Sequence, residues 1–168
     1  VNLAGADPRI AFWTTSIAQG RVLEKYTKEG YDVATTRFGG LSSFNNERIM
    51  RYSDLKLIAA EAALKSGNPA AAIGHINDVR ARAKAWGETL VPGEDFDDLL
   101  TPNLALPEAR DAAETNAGTI MQWIMDERFI ELAGEGHRWD DLRRWHASGD
   151  VNLSGWGGGD DHFSTFLD

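Results

Sequence analysis

The chain has 168 residues, 42% of them hydrophobic and 26% charged, the proportions of one soluble globular domain with enough apolar material for a real core. A net charge of −9 argues against a nucleic-acid partner and weakly against an anionic membrane surface. With no cysteine there is no disulfide, no thiolate nucleophile and no Cys-based zinc site. No run approaches a transmembrane length, and no signal peptide is visible.

Residues 1–50 carry no sustained helical period and read as a loop-rich segment with short strands. The segment is rich in aromatics, among them Trp13, Tyr26 and Tyr31. Such rings either plug the core beneath a long loop, the favoured reading, or stack against sugars.

The pattern turns helical near Ser53. Leu55, Ile58, Ala59 and Ala62 mark one face, and Leu57 and Leu64 mark another, so this helix is expected between two neighbours. Glu61 has two possible partners: Lys65 at i+4, or an arginine reached by turning inward. Gly67 can end the helix, Asn68 can cap the next, and Pro69 suits its first turn. The second helix carries Ala72, Ile73, Ile76, Val79 and Ala83 inward, with Arg80 at the edge of that face. Residues 51–84 therefore form an αα-hairpin like one tetratricopeptide unit, of which only one copy is visible.

Residues 85–117 form a connector with three prolines, an acidic cluster and a short helix expected at 107–113. The acidic cluster lacks the spacing of a calcium loop.

Residues 118–147 read as a helix, a glycine corner at Gly134 and Gly136, and a second helix, with Thr119 as the expected N-cap. Ile120, Trp123, Ile124, Glu127 and Glu131 share one face. Two acids in an apolar stripe need cationic partners, and Arg128, Arg138, Arg143 and Arg144 lie close in sequence. Arg80 is a further candidate. The structural reading makes Glu127 and Glu131 buried ion-pair members. The catalytic reading makes them a glycosidase acid and base. The structural one is favoured, because nearby guanidiniums depress a carboxyl pKa where a general acid needs it raised. His137, Asp141 and His146 are a weak metal candidate, so no metal and no cofactor is expected. Residues 148–168 are a Gly-rich tail with Trp156 in its glycine run.

Four stretches carry a family resemblance: Arg51-Tyr-Ser-Asp-Leu-Lys-Leu-Ile-Ala-Ala-Glu-Ala-Ala-Leu64, Ala72-Ile-Gly-His-Ile-Asn-Asp-Val-Arg-Ala-Arg-Ala83, Asp126-Glu-Arg-Phe-Ile-Glu-Leu132 and Glu135-Gly-His-Arg-Trp-Asp-Asp-Leu-Arg-Arg-Trp145. Together they resemble the C-terminal region of the SusD-like (RagB/SusD) family. The resemblance implies an all-α, α-rich fold, with a tetratricopeptide-like αα-hairpin packed on further helices and long irregular loops. It implies that residues 1–168 are a single domain, the C-terminal part of a longer, non-catalytic protein. That protein would bind oligosaccharide or polysaccharide at the bacterial cell surface. It would be lipid-anchored to the outer membrane through its missing N-terminal part, and would hand nutrient to a SusC-like TonB-dependent transporter. Glu127, Arg128, Glu131, Arg138, Asp141 and Arg144 match the family motifs and are expected to hold the fold. Trp13, Tyr26, Tyr31 and Trp156 are the ligand-binding candidates. A tetratricopeptide-like protein–protein adaptor and a glycosidase using Glu127 and Glu131 remain the alternatives.

Overall fold

The computed structural model describes Arg9, the backbone of residues 14–17 and 20–23, residues 49–89 and residues 106–154. The elements in chain order are β1 (Thr14–Ile17), β2 (Gly20–Leu23), α1 (Tyr52–Lys65), α2 (Pro69–Gly87), α3 (Ala117–Glu131) and α4 (His137–Ala147). The two strands pair antiparallel, Thr14 opposite Leu23 and Ile17 opposite Gly20. The chain is α-rich, as its periodicity predicts.

The α1–α2 turn follows from three residues. Gly67 adopts φ +77°, the left-handed conformation that closes a helix, in open space where only the backbone would object to a side chain. Asn68 then caps α2, its Oδ1 accepting from Ala71 N at 3.1 Å, and Pro69 fills the first turn. Helix α2 buries Ala72, Ile73, Ile76, Val79 and Ala83, the face its spacing predicts.

Helix α3 is central. It packs on α1 and α2 and buries Ile120, Met121, Ile124, Met125 and Ile130. The core joins Ile120, Met121, Ile124 and Met125 to Ala60, Leu64, Ala72, Ile73, Ile76 and Trp145, with Trp123 and Leu142 at its margin. The N-cap of α3 is Asn116, whose Oδ1 accepts from Thr119 N at 3.0 Å, and not Thr119. Asparagine three residues upstream offers a better-placed acceptor than the threonine hydroxyl.

Two further expectations change. Residues 107–113 form no helix. This segment is instead held to α2 by its main chain: Asn77 Nδ2 donates to Arg110 O at 3.0 Å, Arg110 N donates to Asn77 Oδ1 at 2.7 Å, and Arg80 Nε donates to Glu108 O at 2.6 Å. Helix α1 buries Leu57, Ala60 and Leu64, but no described element covers its other apolar face. Leu55 and Ile58 there are 49% and 43% exposed.

Candidate functional site

Most of the charged residues singled out by the sequence meet in two ion-pair clusters along α3. Glu127 and Glu131, one helical turn apart, define the first. Glu127 is fully buried, and both of its oxygens are occupied. Arg9 Nη1 lies 2.5 Å from Oε1, and Arg80 Nη1 lies 2.8 Å from Oε2. Glu131 Oε1 receives Arg51 Nη1 and Arg82 Nη2, each at 2.5 Å. Its Oε2 receives Arg9 Nη1 at 2.9 Å. Arg51 also forks onto Glu135, with Nε 2.8 Å from Oε2 and Nη2 2.8 Å from Oε1. It further donates to the carbonyl oxygen of Glu131 and to Ser53 Oγ. Arginine suits this work because its planar fork serves several acceptors at once.

The electrostatics follow the geometry. Burial opposes ionisation of Glu131, but the guanidiniums of Arg51, Arg82 and Arg9 outweigh it and hold this carboxyl below the usual carboxylate range. The carboxylates of Glu135 and Glu131 hold Arg51 above its ordinary value despite burial. Sequence reasoning named Arg80 and missed Arg9, Arg51 and Arg82. One signal was available for Arg51: it occupies the N-cap position of α1, where arginine makes no cap, and it has no capping bond there.

Arg128 centres the second cluster. Its Nε donates to Asp141 Oδ2 of α4 at 2.7 Å, and its Nη1 donates to Asp54 Oδ1 of α1 at 2.8 Å. One buried side chain thereby ties three helices. Arg144 donates to Asp141 Oδ1 at 3.0 Å and to Glu61 Oε1. Glu61 also accepts from Trp145 Nε1 at 3.2 Å, so it turns inward and leaves Lys65 to pair with Asp150 at 2.6 Å.

Arg138 departs from the ion-pair assignment. Among the described residues its guanidinium lies over rings, 4.9 Å from the centroid of Phe129 and 5.8 Å from that of Trp145. The corner that brings Arg138 back presents aromatic faces where acids were expected, and the acids of α3 are already filled from Arg9, α1 and α2. Burial lowers the Arg138 pKa, and the charges of Asp141 and Asp126 only partly offset it.

Gly136 sets this corner, with φ +84° immediately before α4. The cavity beside it, bounded by Phe129, Leu132, Gly134 and Arg138, measures about 200 Å³. That is below the ~300–1,000 Å³ of a typical ligand pocket. No three metal-ligating side chains gather among the described residues. Asp141 serves arginines, and His146 Nδ1 accepts from Leu153 N at 3.3 Å. Trp13, Tyr26, Tyr31 and Trp156 lie outside the described residues. No helix among the described residues is long and apolar enough to cross a membrane.

The comparisons with known proteins agree with the motifs. Two relatives from Formosa agariphila match. SusD-like protein P2 is 31% identical over 113 residues, covering 67% of this chain and 19% of the relative. SusD-like protein P38 is 30% identical over 103 residues, covering 61% of this chain and 18% of the relative. The chain thus spans about a fifth of the length of these relatives. No solved structure matches. The model of the SusD family matches residues 5–165, so nearly the whole sequence is accounted for, and the chain belongs to the SusD family.

Proposed function

We propose that this chain is the C-terminal part of a non-catalytic glycan-binding protein of the bacterial cell surface. The observation that carries the reading is the family match over residues 5–165. The whole protein is held to the outer membrane by a lipid on its N-terminal part. It passes oligosaccharide or polysaccharide to a SusC-like TonB-dependent transporter. Sugar recognition rests on aromatic stacking with polar hydrogen bonds, a mode suited to neutral ligands. Trp13, Tyr26, Tyr31 and Trp156 are the candidate stacking residues. The clusters around Glu127 and Arg128 hold the helices in place and take no part in bond cleavage.

The geometry favours this assignment over a glycosidase. A retaining or inverting enzyme needs one free carboxylate and one carboxylic acid with a raised pKa. Here both oxygens of Glu127 and of Glu131 face guanidiniums, and Glu131 is pushed the opposite way.

The test is calorimetric titration against a panel of neutral oligosaccharides, with the products assayed for new reducing ends. At least one sugar is expected to bind with no new ends released, and alanine at a stacking residue is expected to weaken that binding. Release of reducing ends, abolished in Glu127→Gln at an unchanged melting temperature, would overturn the reading in favour of the glycosidase. Co-purification with a TonB-dependent transporter from outer membranes tests the delivery step.

A further inference from the structure

Arg110 stands outside both ion-pair clusters. Arg51, Arg80, Arg128 and Arg144 each bond a carboxylate. Among the described residues the Arg110 side chain bonds none, and it lies over the ring of Trp123, 5.2 Å from the centroid. Arg138 also lacks an acid, but it has two rings. Arg110 Nε is buried without a hydrogen-bond partner among the described residues. The edge of the fork left for an incoming group is therefore the Nη1–Nη2 pair, which meets a carboxylate or a sulfate end-on.

This cation is held at both ends. Its main chain is clamped to α2, where Asn77 takes both the N–H and the carbonyl of residue 110 and Arg80 donates to the carbonyl of Glu108. Its head rests on Trp123, which in turn packs on the core. Burial lowers the Arg110 pKa, the charge of Arg80 lowers it further, and Glu127 and Asp126 restore only part. Both of these acids are already engaged. Glu127 is taken by Arg9 and Arg80, and Asp126 accepts from Gln122 Nε2 at 2.8 Å. A half-desolvated cation with little rotamer freedom left is preorganised, so an anion that meets it gives up less on binding. The net charge of −9 opposes anions at long range, but physiological salt screens that beyond about 8 Å.

We propose that Arg110, backed by Trp123, is an anion subsite that takes the carboxylate or the sulfate ester of an acidic saccharide. The oxyanion is read from the fork; that a sugar carries it rests on the function proposed above.

The test is calorimetric titration of the longest polypeptide that the reading frame encodes, with two matched pairs of ligands. One pair is an oligogalacturonide and its methyl ester, and the other is a sulfated galactan oligosaccharide and its desulfated form. The acidic member of at least one pair is expected to bind about tenfold tighter than the neutral one. The pair that shows the preference names the anion. Arg110→Gln is expected to bring the acidic member down to the affinity of the neutral one, and Arg110→Lys, which keeps the charge without the fork, to retain part of the preference. Ala109→Glu places a competing carboxylate at the exposed neighbouring position with Arg110 intact. It is expected to weaken the acidic member alone, and it keeps the test decisive should Arg110→Gln fail to fold. Equal binding of both members, or a preference that survives in Arg110→Gln, would overturn the proposal and leave the glycan reading standing. Binding of no saccharide, acidic or neutral, would overturn both.

Discussion

The two ion-pair clusters contain the same kinds of group, yet they are built differently. Around Glu127 and Glu131 the carboxylates are served redundantly. Among the described residues Glu127 has two arginines and Glu131 has three. Around Arg128 the arrangement is inverted, with one guanidinium serving two carboxylates. Asp141 has a second cation in Arg144, whereas Arg128 is the one cation bonded to Asp54 among the described residues. Burial is similar in both, but tolerance of damage differs. Losing one member of a redundant set leaves each buried charge with a partner, while losing a lone clamp strands a charge.

The largest expected effect is therefore at Arg128. Arg128→Ala should destabilise the chain by on the order of 3–5 kcal/mol in urea titrations, because Asp54 is left buried and unpaired. Adding Asp54→Asn should recover part of the loss, and no recovery would show that packing and not charge is responsible. Next comes Arg80→Ala, expected to cost about 1.5–3 kcal/mol, since Glu127 keeps Arg9. A loss as large as that of Arg128→Ala would mean that Arg9 cannot hold Glu127 alone, and the contrast between the clusters would fail.

Acid sharpens the same contrast. The folded Glu131 carboxyl titrates below its ordinary value of 4.5. Its contribution is therefore fully present above that pH and is lost as pH falls through the lower folded value, at about 1.4 kcal/mol per unit of depression. Melting temperatures measured downward from pH 5 should fall less steeply in Glu131→Gln than in the parent chain. Parallel curves would place the acid sensitivity elsewhere.

Arg138→Ala follows, expected to cost about 0.5–2 kcal/mol through its contacts with the rings of Phe129 and Trp145, with no carboxylate left behind. Smallest is Arg82→Ala, at most about 1 kcal/mol, because its side chain is 56% exposed and Glu131 retains Arg9 and Arg51.

The parts of the fold legible in the sequence are those fixed by neighbouring residues. Gly67, Asn68 and Pro69 each act within one turn of where they stand, and the inner face of α2 is a matter of period alone. The acids at 127 and 131 announce a need for cations just as locally. Which cations answer is a tertiary fact. The near arginines of α4 were the obvious suppliers, yet Arg9 bridges 118 residues to reach Glu127. Arg138, adjacent by sequence, ends on rings. Residues 107–113 have helical composition, but side chains of α2 take up their main-chain groups. Local propensity loses where long-range partners compete for the same backbone. The stacking candidates sit in segments with no period to read, so their pattern gives no means of ranking them.

The dependence of α1 and α2 on α3 sets a limit on modularity. Taken alone, residues 52–87 would gather Arg80 and Arg82 with no acid of α3 to neutralise them, and Asp54 would have no guanidinium. An excised hairpin would lose these ion pairs and would carry an acid without its guanidinium. Unlike consensus repeats that can be shuffled or concatenated at will, this pair shares its buried charges with the later helix.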